Sequence, residues 1–272
     1  MGKPPIILCG VSYIIRNDQS KGEFKMESRN FQLDTEWNVI HYPEKPSGFG
    51  ILVLGDERNF VDAESSFWVQ NEGKSTLLKK FKEEGYTIFY SNLYGKNWGN
   101  DKAVNLARRL YEHIIRTEII NGKIHIIAEG MGALVALRLM NEMGPKQIRT
   151  CVLINPIVSL HHHLELEKEH KFFYKKLLKE LSVSFDEEMK HVETKIKQVN
   201  ENALLENDLI PLKVIQILSD RRAYKQANLL KSLTVSWREK ELPFSICYIL
   251  PEKRQGIGGQ IVSFLKKNER FL

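Results

Sequence analysis

From Gly48 to Pro156 the chain repeats one unit, a short apolar run followed by a longer stretch whose apolar residues recur at helical spacing. GFGILVLGD (48–56), YTIFYSNL (86–93), KIHIIAE (123–129) and IRTCVLINP (148–156) read as strands. Between them STLLKKFKEEG (75–85) puts Leu77, Leu78 and Phe81 on one side. After the loop YGKNWGND, the segment from Asp101 to about Glu118 carries the stripe Ala103, Leu106, Ala107, Leu110, Ile114 and Ile115. Strands buried on both faces need no polar alternation, so this pattern with short connections predicts a mostly parallel sheet with helices on both faces.

The flanks differ. PIILCGVSYII, GEFKMES and WNVIHYP read as short antiparallel strands ending at the turn EKPSG. Residues 159–208 have helical periodicity, many charges and no strand pattern. The alternation then resumes with LKVIQILSD (212–220), a helix around 222–233, the strand FSICYIL and a final helix, GIGGQIVSFLKKNERFL. The expected organisation is one α/β core, 1–158 and 209–272, with a helical cap inserted at 159–208.

With 42% hydrophobic and 27% charged residues in 272, the chain can bury a sizeable core. Its net charge of +6 is spread along the sequence, so no nucleic-acid partner is expected. MGKPPIILCGVSYIIRND is interrupted by Gly10 and Ser12 and has no small-residue cleavage site, and Ile6 stands where myristoylation wants Ser or Thr. A cytoplasmic protein with no membrane span is expected. Cys9, Cys151 and Cys247 lie far apart in apolar runs and read as packed, reduced thiols; neither a metal nor a cofactor is expected.

IHIIAEGMGALVALRLM (124–140) combines a buried strand, a tight glycine turn and a small-residue helix. Ala128, Gly130, Gly132 and Ala133 give room for strand and helix backbones to approach, and Gly130 accepts a positive φ at no steric cost. Four segments in order resemble the α/β-hydrolase family. ILVLGDERN stands at its first strand and oxyanion loop, and GYTIFYSNLYGKNWGN at its strand followed by aspartate-x-x-glycine-x-glycine. IIAEGMGAL stands at its G-x-S-x-G turn, and PLKVIQILSD at the strand that ends in the acid, Asp220.

The resemblance places a nucleophile at Gly130, which has no atom to attack with. It places the general base in PEKRQGIGG, which offers Glu252, Lys253, Arg254 and Gln255 but no histidine; Arg254 is the degenerate position, and the last histidine is His191. Gly55-Asp56-Glu57-Arg58 replaces the family's histidine-glycine, and two carboxylates would repel a developing oxyanion. The backbone N–H of Met131 is still expected to be open to an anionic or carbonyl group. The implied function is a non-catalytic hydrolase-like protein that binds a small apolar or acyl-type ligand, or a protein partner, with Asp56, Glu57, Gly130, Met131 and Asp220 at the site. Phe60, Phe67, Trp68, Trp98 and Met131 would line an apolar cavity or simply pack the core.

The alternative is a carboxylic-ester or thioester hydrolase with a relocated nucleophile, Ser12, Ser159 or Ser219. A third reading makes 161–205 a docking surface for a partner. Plainer assignments stand beside these. Asp220 can cap a helix or pair with Arg221, Arg222 or Arg254, and Asp56 with Glu57 can form a solvated turn. His161–His163 with His170 do not share one helical face and are expected to form a polar entrance at the cap rather than a metal cluster. NEGKST ends like a phosphate loop, but Trp68 holds the place of its first glycine, so Gly73–Thr76 reads as a helix start. FFYKKLLKEL (172–181) is expected to turn its apolar side toward the core.

Overall fold

The computed structural model describes residues 6–8, 11–18, 23–198, 210–218 and 226–269, with backbone alone before residue 27. The strands are β1 (Ile6–Leu8), β2 (Val11–Asp18), β3 (Glu23–Leu33), β4 (Glu36–His41), β5 (Gly50–Leu54), β6 (Thr87–Ser91), β7 (Ile124–Glu129), β8 (Ile148–Ile154), β9 (Leu212–Ile217) and β10 (Phe244–Ile249). The helices are α1 (Phe67–Gln70), α2 (Glu72–Glu83), α3 (Asp101–Thr117), α4 (Gly132–Met143), α5 (Leu160–Glu167), α6 (Lys171–Phe185), α7 (Met189–Gln198), α8 (Ala227–Glu239) and α9 (Ile257–Lys267).

Among the described residues the strands form one sheet in the order β1-β2-β3-β4-β6-β5-β7-β8-β9-β10. β1 to β4 make an antiparallel meander that joins antiparallel to β6; from β6 to β10 all pairs are parallel. Alternate residues sort to the two faces, as a period of two requires. Leu52, Leu54, Ile126, Ala128, Cys151 and Leu153 pack under α3, α4 and α8. Ile51, Val53, Ile127, Val152 and Ile154 pack under α1, α2 and α9. Both layers are apolar, which is why these strands read as unbroken hydrophobic runs.

Local turn chemistry shifts several expected boundaries. PIILCGVSYII is not one strand: β1 and β2 pair antiparallel, Ile6 opposite Tyr13. β3 runs on to Leu33 and turns at Asp34, with φ +56°, into β4. α2 begins at Glu72 because the Asn71 side chain accepts the Lys74 N–H at 3.1 Å. The helix expected around 222–233 is α8, from Ala227 to Glu239. The short α1 and a 3₁₀ turn at Pro251–Gly256 were not anticipated.

Between β8 and β9 stand α5, α6 and α7. Their inward residues Leu160, Leu164, Leu177, Leu181, Val192 and Ile196 form a third cluster with Trp98 and Met131, over the carboxyl ends of the parallel strands. FFYKKLLKEL thus turns Leu177 and Leu181 inward and leaves Phe172 exposed. No helix among the described residues is long and apolar enough to cross a membrane.

Candidate functional site

β5, β7 and β8 end at one edge of the sheet and deliver Asp56, Gly130 and Asn155 to it. Such edges hold the ligand sites of α/β sheets. Gly130 takes φ +52° between β7 and α4. Its N–H donates to Ile154 O at 3.1 Å, and its carbonyl accepts from Ile157 N–H at 2.9 Å. At Gly132 a Cβ would overlap Leu54 O and lie 2.7 Å from Gly55 O, so β5 and α4 meet backbone to backbone. The small residues of IIAEGMGAL make this approach feasible.

Asp56 fills the turn. A Cβ on residue 130 would overlap Asp56 Oδ1 and lie 2.6 Å from Oδ2. Oδ1 accepts the Met131 N–H at 2.9 Å, at the amino end of α4, where the helix dipole and unpaired N–H groups attract an anion. The donor expected to be open to a ligand is therefore already used. The solvated-turn reading of Asp56 is corrected with it: burial raises this carboxyl's pKa, the N–H groups of Met131 and Glu57 oppose the rise, and the charges of Glu129 and Glu57 add to it. The loop is braced: Asn59 N–H donates to Asp56 O at 2.8 Å, and Asn59 Nδ2 donates to Ser91 O at 3.0 Å.

The neighbouring acids have cations. Glu57 lies 3.7 Å from Lys96, which also pairs with Glu180 of α6. Glu129 pairs with Lys74, whose ammonium lies 5.3 Å from the Trp68 ring centroid. NEGKST is a helix start, as read, and its lysine serves the back of the turn.

A cleft of about 300 Å³ opens beside Asp56. Gly130 and Asn155 form its floor, and Trp98, His163 and Phe173 stand in its wall. Trp98 stacks on His163 at 5.6 Å between centroids, and its backbone N–H reaches Met131 Sδ at 3.2 Å. Asn155 has φ +43°, and its Oδ1 accepts from Ile217 N–H at 2.7 Å, tying β8 to β9. The described lining contains no serine, threonine, tyrosine or cysteine.

The expected residues distribute unevenly. Asp56, Glu57 and Gly130 meet at the cleft, and Arg254 reaches it from the Pro251–Gly256 turn, so the loop matched to the base supplies a guanidinium. Met131 contributes its N–H to Asp56 and buries its side chain against Trp98. Phe67 and Trp68 pack on the opposite face of the sheet with α2 and α9, so of the expected aromatics Trp98 alone is in the described lining. Asp220 and Ser219 lie outside the described residues. Ser159 Oγ accepts the His162 N–H at 2.9 Å and caps α5, and Ser12 lies on β2 in the antiparallel meander. His161 lies 3.8 Å from Glu165. Among the described residues no three His, Cys, Asp or Glu side chains are grouped to hold a metal.

Sequence reasoning did not assign Asn155 to the site and placed His163 only within a polar cap entrance. His163 was masked by the histidine run around it, where periodicity alone does not say which ring turns inward. Asn155 carried a signal, the turn-forming Asn-Pro pair, that pointed to a bend rather than a site.

No protein-family model and no curated protein matches the sequence. Solved structures do match. A puromycin-hydrolysing peptidase from Mycobacterium tuberculosis superposes with TM-score 0.69 and 12% identity over 96% of this chain, which spans 44% of the peptidase. An S-formylglutathione hydrolase from Agrobacterium tumefaciens gives TM-score 0.61 and 9% identity over 97% of this chain and 98% of its own. An esterase from Pyrococcus furiosus gives 0.58 and 16% over 93% and 89%. The three share one architecture with this chain, which has the α/β-hydrolase fold.

Proposed function

We propose that the chain is a non-catalytic hydrolase-fold protein that binds a small molecule in the cleft between the elbow and α5–α7, which act as its cap. One observation carries this reading: the Asp56 carboxylate lies in the space a nucleophilic side chain at 130 would need, with its Oδ1 on the Met131 N–H. A covalent acyl intermediate needs an attacking atom and an unoccupied donor for the carbonyl oxygen, and both are lost at once. An acyl ligand loses the same donor, so the ligand class turns on Asp56 itself. The reduced, buried thiol of Cys151 fits a cytoplasmic protein.

The hydrolase alternative would have to use Asp56 or a residue beyond the described lining. Incubation of the purified protein with a fluorophosphonate should leave every serine unlabelled, and p-nitrophenyl ester turnover should not exceed that of an Asp56→Asn variant. Stoichiometric labelling, or turnover lost in that variant, would reject the non-catalytic reading.

A further inference from the structure

We infer that the cleft takes the protonated amino end of a small molecule, with Asp56 as its counter-ion. This rests on the pocket reading above and names its ligand class.

Three observations converge. First, Asp56 has backbone N–H partners but no cationic one among the described residues. The other acids around it are supplied: Glu57 and Glu180 share Lys96, Lys176 lies 3.9 Å from Glu180, and Glu129 has Lys74. Glu167 and Arg254, also at the cleft, are engaged as well. With its neighbours paired, Asp56 is a largely buried carboxylate with no cation among the described residues, a charge that a ligand ammonium relieves.

Second, the turn has reversed its polarity. The amino end of α4 would ordinarily draw an anion, but the resident anion is Asp56, so a ligand at the floor meets carboxylate oxygen instead of N–H. A carboxylate or oxyanion ligand would find its donor taken and would stand against like charges. Third, the wall suits a cation with an apolar body: Trp98, stacked on His163, and Phe173 line the cleft with aromatic and apolar surface, within a volume at the lower end of small-molecule sites.

The test uses the full chain and three probes of similar shape: phenethylammonium, 3-phenylpropionate and 3-phenylpropanol, at constant ionic strength and near neutral pH, followed by calorimetry and thermal shift. Phenethylammonium should bind at least tenfold more tightly than either other probe. Asp56→Asn, which keeps an acceptor for Met131 N–H, should weaken the amine at least tenfold. Asp56→Ala, which frees that N–H, should gain affinity for 3-phenylpropionate. Wild-type preference for the carboxylate or the alcohol, or amine binding unchanged in both variants, overturns the inference and leaves the pocket reading standing. Failure of all three probes on wild type and both variants overturns the pocket reading, and the inference with it.

Discussion

A serine placed at residue 130 would meet two obstacles of different kinds. The φ of +52° costs a non-glycine residue about 1 kcal/mol. Its Cβ also displaces the Asp56 carboxylate, a movable group, at the cost of a charge-assisted hydrogen bond worth about 2 kcal/mol. Gly130→Ser should therefore lower unfolding free energy by about 3 kcal/mol in urea titrations and still resist fluorophosphonate. In an Asp56→Gly background the same change should cost only about 1 kcal/mol, a coupling of about 2 kcal/mol between the positions. Gly132 is less forgiving, because the atoms in its way are the backbone carbonyls of Leu54 and Gly55, and no side-chain rotation clears them. Asp56 itself has a pH signature. Its folded carboxyl pKa is raised above the unfolded value of about 3.9, chiefly by burial, so the native state holds the proton longer than the unfolded chain does. Stability thus falls as pH rises through that window, and the loss persists above it. Asp56→Asn should be more stable than wild type near neutrality, and the gain should vanish below about pH 4. A gain independent of pH would mean that shape, and not charge, is what the variant relieves.

At the scale of elements, Asn100 is one of the side chains by which the loop before α3 joins core to inserted helices. Asn100 Oδ1 accepts the Ala103 N–H at 2.9 Å and caps α3, while Nδ2 donates to Ser184 O at 2.7 Å on α6. Asn100→Ala loses both interactions and should cost about 2 kcal/mol; Asn100→Asp keeps the cap, loses the donor and should cost about 1 kcal/mol. Hydrogen exchange separates them: amides of α6 should exchange faster in both variants, those at the start of α3 only in the alanine variant. The same loop shows how far sequence reaches. Its identity as a loop and the start of α3 beside Asp101 were legible, because capping and periodicity are local. The bond from Asn100 to Ser184 was not, because it joins residues far apart in the chain. The turn at Gly130 follows the same division. Small residues within a few positions announced the close approach of β7, α4 and β5. The carboxylate that fills the turn comes from Asp56, on another strand end, and only the parallel pairing of β5 with β7 brings it there. His163 is a further case: an amphipathic insertion was readable, but its orientation over Trp98 belongs to packing.

Across the whole molecule, buried histidines on the parallel and antiparallel parts of the sheet make the fold sensitive to acid. At the edge opposite the cleft, His125 on β7 is fully buried, shares a hydrogen bond with Thr150 Oγ1 at 2.8 Å and lies 3.3 Å from Glu269. Tyr86 also bonds Glu269, and Arg149 donates to Asn268 O at 3.3 Å, so the segment after α9 is pinned beneath β6, β7 and β8. Where the meander joins the parallel strands, His41 Nε2 and Tyr90 Oη are 2.9 Å apart, and Tyr90 Oη is 2.7 Å from Ser66 Oγ. Burial pushes the His41 pKa down to about 3, with Lys82 adding to the shift, and burial lowers His125 as well. The unfolded chain protonates these rings below about pH 6.5 while the native state holds them neutral, so protons favour the unfolded state and stability is lost as pH falls. For His41 the loss accumulates from about pH 6.5 toward pH 3 and reaches about 3 kcal/mol near pH 4, since each pH unit in this range is worth about 1.4 kcal/mol. His41→Gln retains a hydrogen-bonding group but cannot take up that proton. It should weaken the protein somewhat near neutrality, yet flatten the acid limb of a stability-versus-pH curve measured by urea titration, and adding His125→Gln should flatten it further. An acid limb as steep in His41→Gln as in wild type would assign the loss to carboxylates, and the buried imidazole would then be a packing element with no part in the titration.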